Sequence, residues 1–237
     1  MEQIEDNMDS PIWRSKDLPV RIKETLNKIR VEQPAPAIKQ KILQVLISFA
    51  SGVLLGLAAK YSDTIPADGF TGNFWGLISD IATRLGIWVL IATMIAGWSN
   101  NPRIGAVKVF AFFAGMLLTY YLYSMWLFGF FPFYYFVRWG IVALASPIAA
   151  YIVWFGRGNG WIAALCAALP IGLIVSMGYS FFYRFDIILG FELLSAVILF
   201  LIMPVNKKQW LRMFPAVLFV VFILRNSNVL SYLFGGL

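Results

Sequence analysis

Between residues 80 and 225, seven charged side chains stand within or at the edges of long apolar runs: Asp80, Arg84, Arg138, Arg184, Asp186, Glu192 and Arg225. Arginine suits carboxylate and phosphate because its planar fork binds them bidentately. Four arginines against three acids leave one positive charge over, so this set points to a site for a ligand carrying negative charge. Its candidate residues are Arg84, Arg138, Arg184, Glu192 and Arg225. Asn226 and Asn228 join them, because Arg225-Asn226-Ser227-Asn228 interrupts an apolar run as a broken or ending helix would. The competing reading of the same residues is an internal salt-bridge cluster. Asp80 and Arg84 are spaced to pair along one helix face, and Glu192 can pair with an arginine across helices.

Other chemistry is excluded by what is missing. The chain has no histidine and a single cysteine, Cys166. Ser-His-Asp and Cys-His catalysis and histidine-bound zinc or haem are therefore ruled out. No phosphate-binding glycine loop and no acids in metal-ligand spacing are present, and Ser176 lacks the first glycine of a nucleophile elbow. No catalytic residue, metal site or cofactor is expected.

Two further patterns concern surfaces. Residues 128–139 hold eight aromatic side chains in twelve. They read as an interfacial belt or as a lid over a cavity that suits a planar or amphiphilic ligand, with Arg138 stacking on a ring. Ser48, Gly52 and Gly56 recur every four residues, a spacing that lets helices approach closely. They serve packing within the chain or docking of a partner subunit.

The elements that position these residues are membrane helices. Of 237 residues, 60% are apolar and 13% charged, about half the charge usual in soluble domains. The net charge of +7 is spread over loops between apolar runs, which argues for membrane orientation rather than nucleic acid. The expected fold is an all-α polytopic transmembrane bundle in the cell membrane. Its seven spans are placed near 42–59, 81–98, 106–127, 137–155, 161–178, 187–204 and 210–224, or six if the last two, the least separable, are one. Fourteen of nineteen basic residues lie on one side if the N-terminus is cytoplasmic, which puts the C-terminus outside. No inverted repeat is visible.

Residues 1–40 are expected to form a charged cytoplasmic segment, and 41–237 the transmembrane domain. Within the segment, Leu18 to Val31 reads as an amphipathic helix with Ile22, Leu26 and Ile29 on one face. That face lies on the inner leaflet, or docks on the protein's own loops or on a partner.

The stretch Ala106 to Trp139, with its Phe-Phe-Ala-Gly-Met-Leu-Leu-Thr-Tyr-Tyr-Leu-Tyr run, resembles small bacterial membrane proteins to which no activity is attached. In layout the chain is similar to the substrate-binding S components of energy-coupling-factor transporters. That likeness implies a ligand near the outer face, no ATPase in the chain, and small residues on the first span meeting a coupling subunit. It departs in span count, six there and seven here. The expected function is small-molecule binding or transport through an outward-facing cavity lined by arginine and glutamate. The alternatives are an accessory, assembly or signalling partner and, last, a lipid-active enzyme using Glu192 or Asp186 as acid or base.

Overall fold

The computed structural model describes residues 18–65 and 69–227, and within them every regular element is helical. In chain order these are α1 (Leu18–Ile29), α2 (Ile38–Ser62), α3 (Gly69–Thr83), α4 (Leu85–Gly97) and α5 (Pro102–Phe128), followed by α6 (Phe133–Phe155), α7 (Trp161–Gly178), α8 (Phe181–Arg184), α9 (Ile187–Ile202) and α10 (Lys207–Asn226). The boundaries have local causes. Asn101 caps α5, its side chain accepting from the Ile104 N–H at 2.8 Å, and Pro102 follows at the first helical position, where its missing N–H costs nothing. The same helix ends at Gly129, which adopts φ 71°. Asp186 and Asn206 cap α9 and α10 in the same way as Asn101.

Four stretches are long and apolar enough to cross a membrane: α2, α5, α6 and the α7–α8 stretch Trp161–Arg184. The α3–α4 pair makes a fifth, bent by 64°. Of the seven expected spans, length and composition thus support four, or five with the bent pair. α9 is apolar but has 16 residues, about 24 Å at 1.5 Å per residue, against a hydrocarbon core of about 30 Å. Both chain termini lie outside the described residues.

The expected second span breaks at Arg84, whose backbone is extended (φ −91°, ψ 148°). A continuous helix would join the Ala82 C=O to the Gly86 N–H. Here the indole Nε1 of Trp88 donates to the Ala82 carbonyl at 2.8 Å, so a side chain satisfies the acceptor that the break exposes.

Small residues set the closest helix contacts. Ser48, Gly52 and Gly56, where the sequence also allowed a partner subunit, are buried against α5 of the same chain. A Cβ on Gly52 would overlap the Phe112 carbonyl, one on Gly56 would meet the Met116 carbonyl, and one on Gly115 would meet that of Phe49. Gly52 meets Phe112, Gly56 meets Met116 and Asp63 meets Tyr120, in the same order along both helices, so α2 and α5 are parallel. α7 and α10 are parallel too. Gln209, fully buried, clasps the Gly160 backbone through two hydrogen bonds of 3.2 and 3.0 Å, and Gly172 lies against Val220 one helix length further on. Between these pairs sits one continuous apolar core, while Leu54, Leu144, Leu211 and Phe222 stand exposed on the outside, as a lipid-facing surface requires.

α1 docks on the bundle. Leu26 and Ile29 pack against Trp154, Phe155 and Ala163. The Asn159 N–H donates to the Ile29 carbonyl at 2.9 Å, and the Gln33 N–H to that of Asn100 at 3.1 Å. The Arg30 guanidinium lies 4.0 Å over the Trp154 ring and donates to the Trp154 carbonyl. Burial, and next the Arg157 charge, push Arg30 down to about 10, so it stays cationic at neutral pH. The Leu26–Ile29 face is thus packed on the end of α6, the start of α7 and the turn between them.

Candidate functional site

At the end of the bundle opposite α1, one carboxylate gathers donors from three helices. Asp63 follows the last turn of α2. It accepts from the Lys60 ammonium at 3.1 Å, from the Tyr120 hydroxyl of α5 at 2.9 Å and from the Ser79 hydroxyl of α3. Lys60 is only 7% exposed, and its ammonium lies 5.0 Å from the Tyr120 ring centre and 4.9 Å from that of Phe128. Buried charge survives only with such partners, and the two rings add cation–π attraction.

This cluster borders a cavity of about 450 Å³, within the usual range for small-molecule sites. Trp88 of α4, Tyr121 and Phe128 of α5, and Phe130, Tyr135 and Trp139 from the aromatic stretch form its walls, with Lys60 and Ser124 as polar points. Edge-on contacts hold the rings in place, Tyr121 lying 5.4 Å from Phe136 and Phe131 5.1 Å from Phe136. The chamber therefore offers flat apolar faces and one cationic donor beside an acceptor. The sequence reading missed Lys60, Asp63 and Tyr120 as a site. Their one local signal is the base and acid three apart at the end of α2.

A second feature lies deeper. Glu192 is 1% exposed, ten residues from the end of α9 at Ile202. That is about 15 Å, half the thickness of a hydrocarbon core. Its carboxylate occupies the space that a side chain on Gly86 would fill, at the first turn of α4, and its Cβ packs against Gly178 of α7. Neither oxygen has a hydrogen-bond partner. The Gly86 N–H and the Arg84 charge bear on it, yet the amide falls short of hydrogen-bond geometry and no ion pair within 4.0 Å forms. Among the described residues that distance is met only by Lys60–Asp63. A helix N-terminus favours negative charge, and α4 presents one here because the chain breaks at Arg84.

The remaining expected site residues are distributed around the molecule. Arg138 lies on α6, its guanidinium 4.7 Å over the Tyr134 ring, and it lines a different cavity from Lys60. Arg184 ends α8 and is exposed. Arg225 is exposed, 3.7 Å over the Tyr179 ring, and Asn226 ends α10. Asn228 lies outside the described residues. Asp80 and Arg84 do not pair, because the helix ends between them. Asp186 is engaged as a cap, accepting from the Ile188 N–H at 2.8 Å. Of the expected arginines only Arg84 exerts a charge effect on Glu192, without pairing with it, and Arg138, Arg184 and Arg225 lie elsewhere.

Fold and surface define a polytopic helical membrane protein. Compared with known proteins, the chain matches no family model, no curated protein and no solved structure.

Proposed function

We propose that this is a seven-crossing binding or transport protein that takes a small planar or amphiphilic molecule into the aromatic chamber from the outer side. The observation that carries the reading is the buried Lys60 ammonium, paired with the more exposed Asp63, on the wall of a 450 Å³ chamber that Tyr120 also lines. A folded protein has little reason to keep an ion pair and a void together, since each lowers stability, and a ligand site needs both. Seven crossings are supported by the parallel pairs. α2 and α5 point the same way, so α3–α4 must return between them, and α9 must return between α7 and α10. The excess of basic residues at the α1 end supports a cytoplasmic position for it. An S-component-like layout fits a chain that binds ligand without an ATPase. The alternative of an accessory protein working through α1 is weakened by the docking of its Leu26–Ile29 face on α6 and α7.

Small molecules that co-purify with the protein should be compared by mass spectrometry between the wild type and Ser124→Trp, which fills the chamber from α5. A compound present in the first and absent from the second, at equal protein yield, supports the chamber. An identical set of compounds refutes it. Labelling of Gln3→Cys and Gly235→Cys from outside tests topology. Only the second should react, and equal reaction of both refutes the seven-crossing arrangement.

A further inference from the structure

A second cavity, of about 730 Å³, lies between α4, α6 and α7 with α5 as its floor, and it shares no lining residue with the aromatic chamber. It exists because α6 presents Ala145, Ser146 and Ala149 to it, side chains too short to reach α4, while Pro170 sits on the facing part of α7. Protein interiors are close-packed, and an apolar space of this size does not stay empty beside a bilayer. Its rim faces lipid rather than water: Ile141 and Ile148 are 61% and 69% exposed, and Leu169 is exposed as well.

One charged group lines this groove. Arg138 lies five residues into α6, about 8 Å along the helix, at the depth where a headgroup meets the acyl region. Its Nη1 is buried without a hydrogen-bond partner, and no carboxylate lies within 4.0 Å of it. A buried guanidinium donor left unpaired is costly, and an oxyanion repairs it bidentately. From Arg138 the lining continues through Val142, Ala145 and Ala149 to Val153. That is fifteen helical rises, or about 22 Å, most of the way across a core of about 30 Å.

We propose that this groove holds the chain of an anionic phospholipid whose phosphate is bound by Arg138. The pairing of a guanidinium that stacks on Tyr134 but has no carboxylate partner with an apolar channel open to the bilayer matches a lipid. A soluble anion would gain nothing from the channel, and an uncharged chain nothing from the arginine. This site is independent of the aromatic chamber, so either assignment can fail alone.

The test is native mass spectrometry of the full chain released from nanodiscs of phosphatidylglycerol and phosphatidylcholine in equal amounts. The wild type is expected to retain one phosphatidylglycerol with about tenfold preference, the scale of one hydrogen-bonded charge contact. Arg138→Gln should bring the preference near unity, while Arg138→Lys should keep part of it. Ala149→Phe, which fills the channel and keeps the arginine, should release both lipids at unchanged melting temperature. Equal retention of the two lipids by the wild type overturns the proposal, as does undiminished preference in Arg138→Gln. Displacement of the lipid by millimolar inorganic phosphate would also overturn it, because the site would then read the anion without the chain. If Ala149→Phe fails to fold, Ala145→Leu serves the same purpose from one turn away.

Discussion

Replacing Gly86 by alanine puts a methyl group where the Glu192 carboxylate lies. The contacting atoms are the end of a side chain, so the carboxylate must rotate away, and its surroundings are closed: Glu192 is 1% exposed, with Gly178 and Leu189 close behind it. Overpacking of this kind costs about 1–3 kcal/mol. The gain in helix propensity from glycine to alanine, at most about 1 kcal/mol and less in a first turn, offsets part of that. A net loss of about 1–2 kcal/mol follows, which for a chain of this length lowers the melting temperature by about 2–8 °C. With Glu192→Ala in place the niche is empty, and the same methyl group should be neutral or stabilising. The interaction energy of the double-mutant cycle is then about 2 kcal/mol, within the range for residues in contact. Glu192→Gln separates volume from charge. It keeps the shape, so Gly86→Ala should cost as much on it as on the wild type. Alone, it severs no ion pair and so avoids the 3–5 kcal/mol of a broken buried pair. Thermal unfolding in nanodiscs, followed by tryptophan fluorescence, measures all of these. If Gly86→Ala costs the same with and without the Glu192 side chain, to within about 0.5 kcal/mol, the carboxylate does not occupy the Gly86 niche and the reasoning fails.

Three further expectations use the same measurement. Gly52→Leu forces a side chain into the α5 backbone at Phe112, where nothing flexible can yield. It should cost about 3 kcal/mol or more, whereas Gly140→Leu, with open space at its Cβ, should cost almost nothing. Asp63→Asn leaves the Lys60 ammonium without its counter-charge. The pair is partly exposed, so the expected loss is about 2 kcal/mol, below the value for a fully buried pair, and a loss under 0.5 kcal/mol would remove Asp63 from the centre of the cluster. Deleting residues 1–34 should leave membrane insertion intact, because no span is lost, while the removal of Arg30 and Ile29 from Trp154 should shift tryptophan emission to the red. An unshifted spectrum would show that α1 does not dock there.

Hydropathy alone decides that this chain belongs in a bilayer and that its apolar runs are helices. Both follow from continuous apolar runs, since lipid leaves every backbone amide to be satisfied within its own helix. The apolar runs lie mostly on helix, the second one interrupted at Arg84, and the close approach at Gly52 and Gly56 was legible because small residues every four places make a groove on any helix. Which helix fills that groove was not legible. The answer, α5, depends on a contact some 60 residues along the chain. The break at Arg84 was hidden for a similar reason. No proline marks it, and it persists because Trp88 takes the Ala82 carbonyl and Glu192 fills the space beside Gly86. Lys60 and Asp63 announced a pair by spacing, but Tyr120 and Ser79 reach the same carboxylate from other helices. The charges read as one cavity were grouped by depth alone. Periodicity and hydropathy report how deep a residue sits in the membrane. Its position around the bundle is decided by helix packing, and packing is what set the Glu192 carboxylate against Gly86 and turned Arg138 toward the lipid-facing groove.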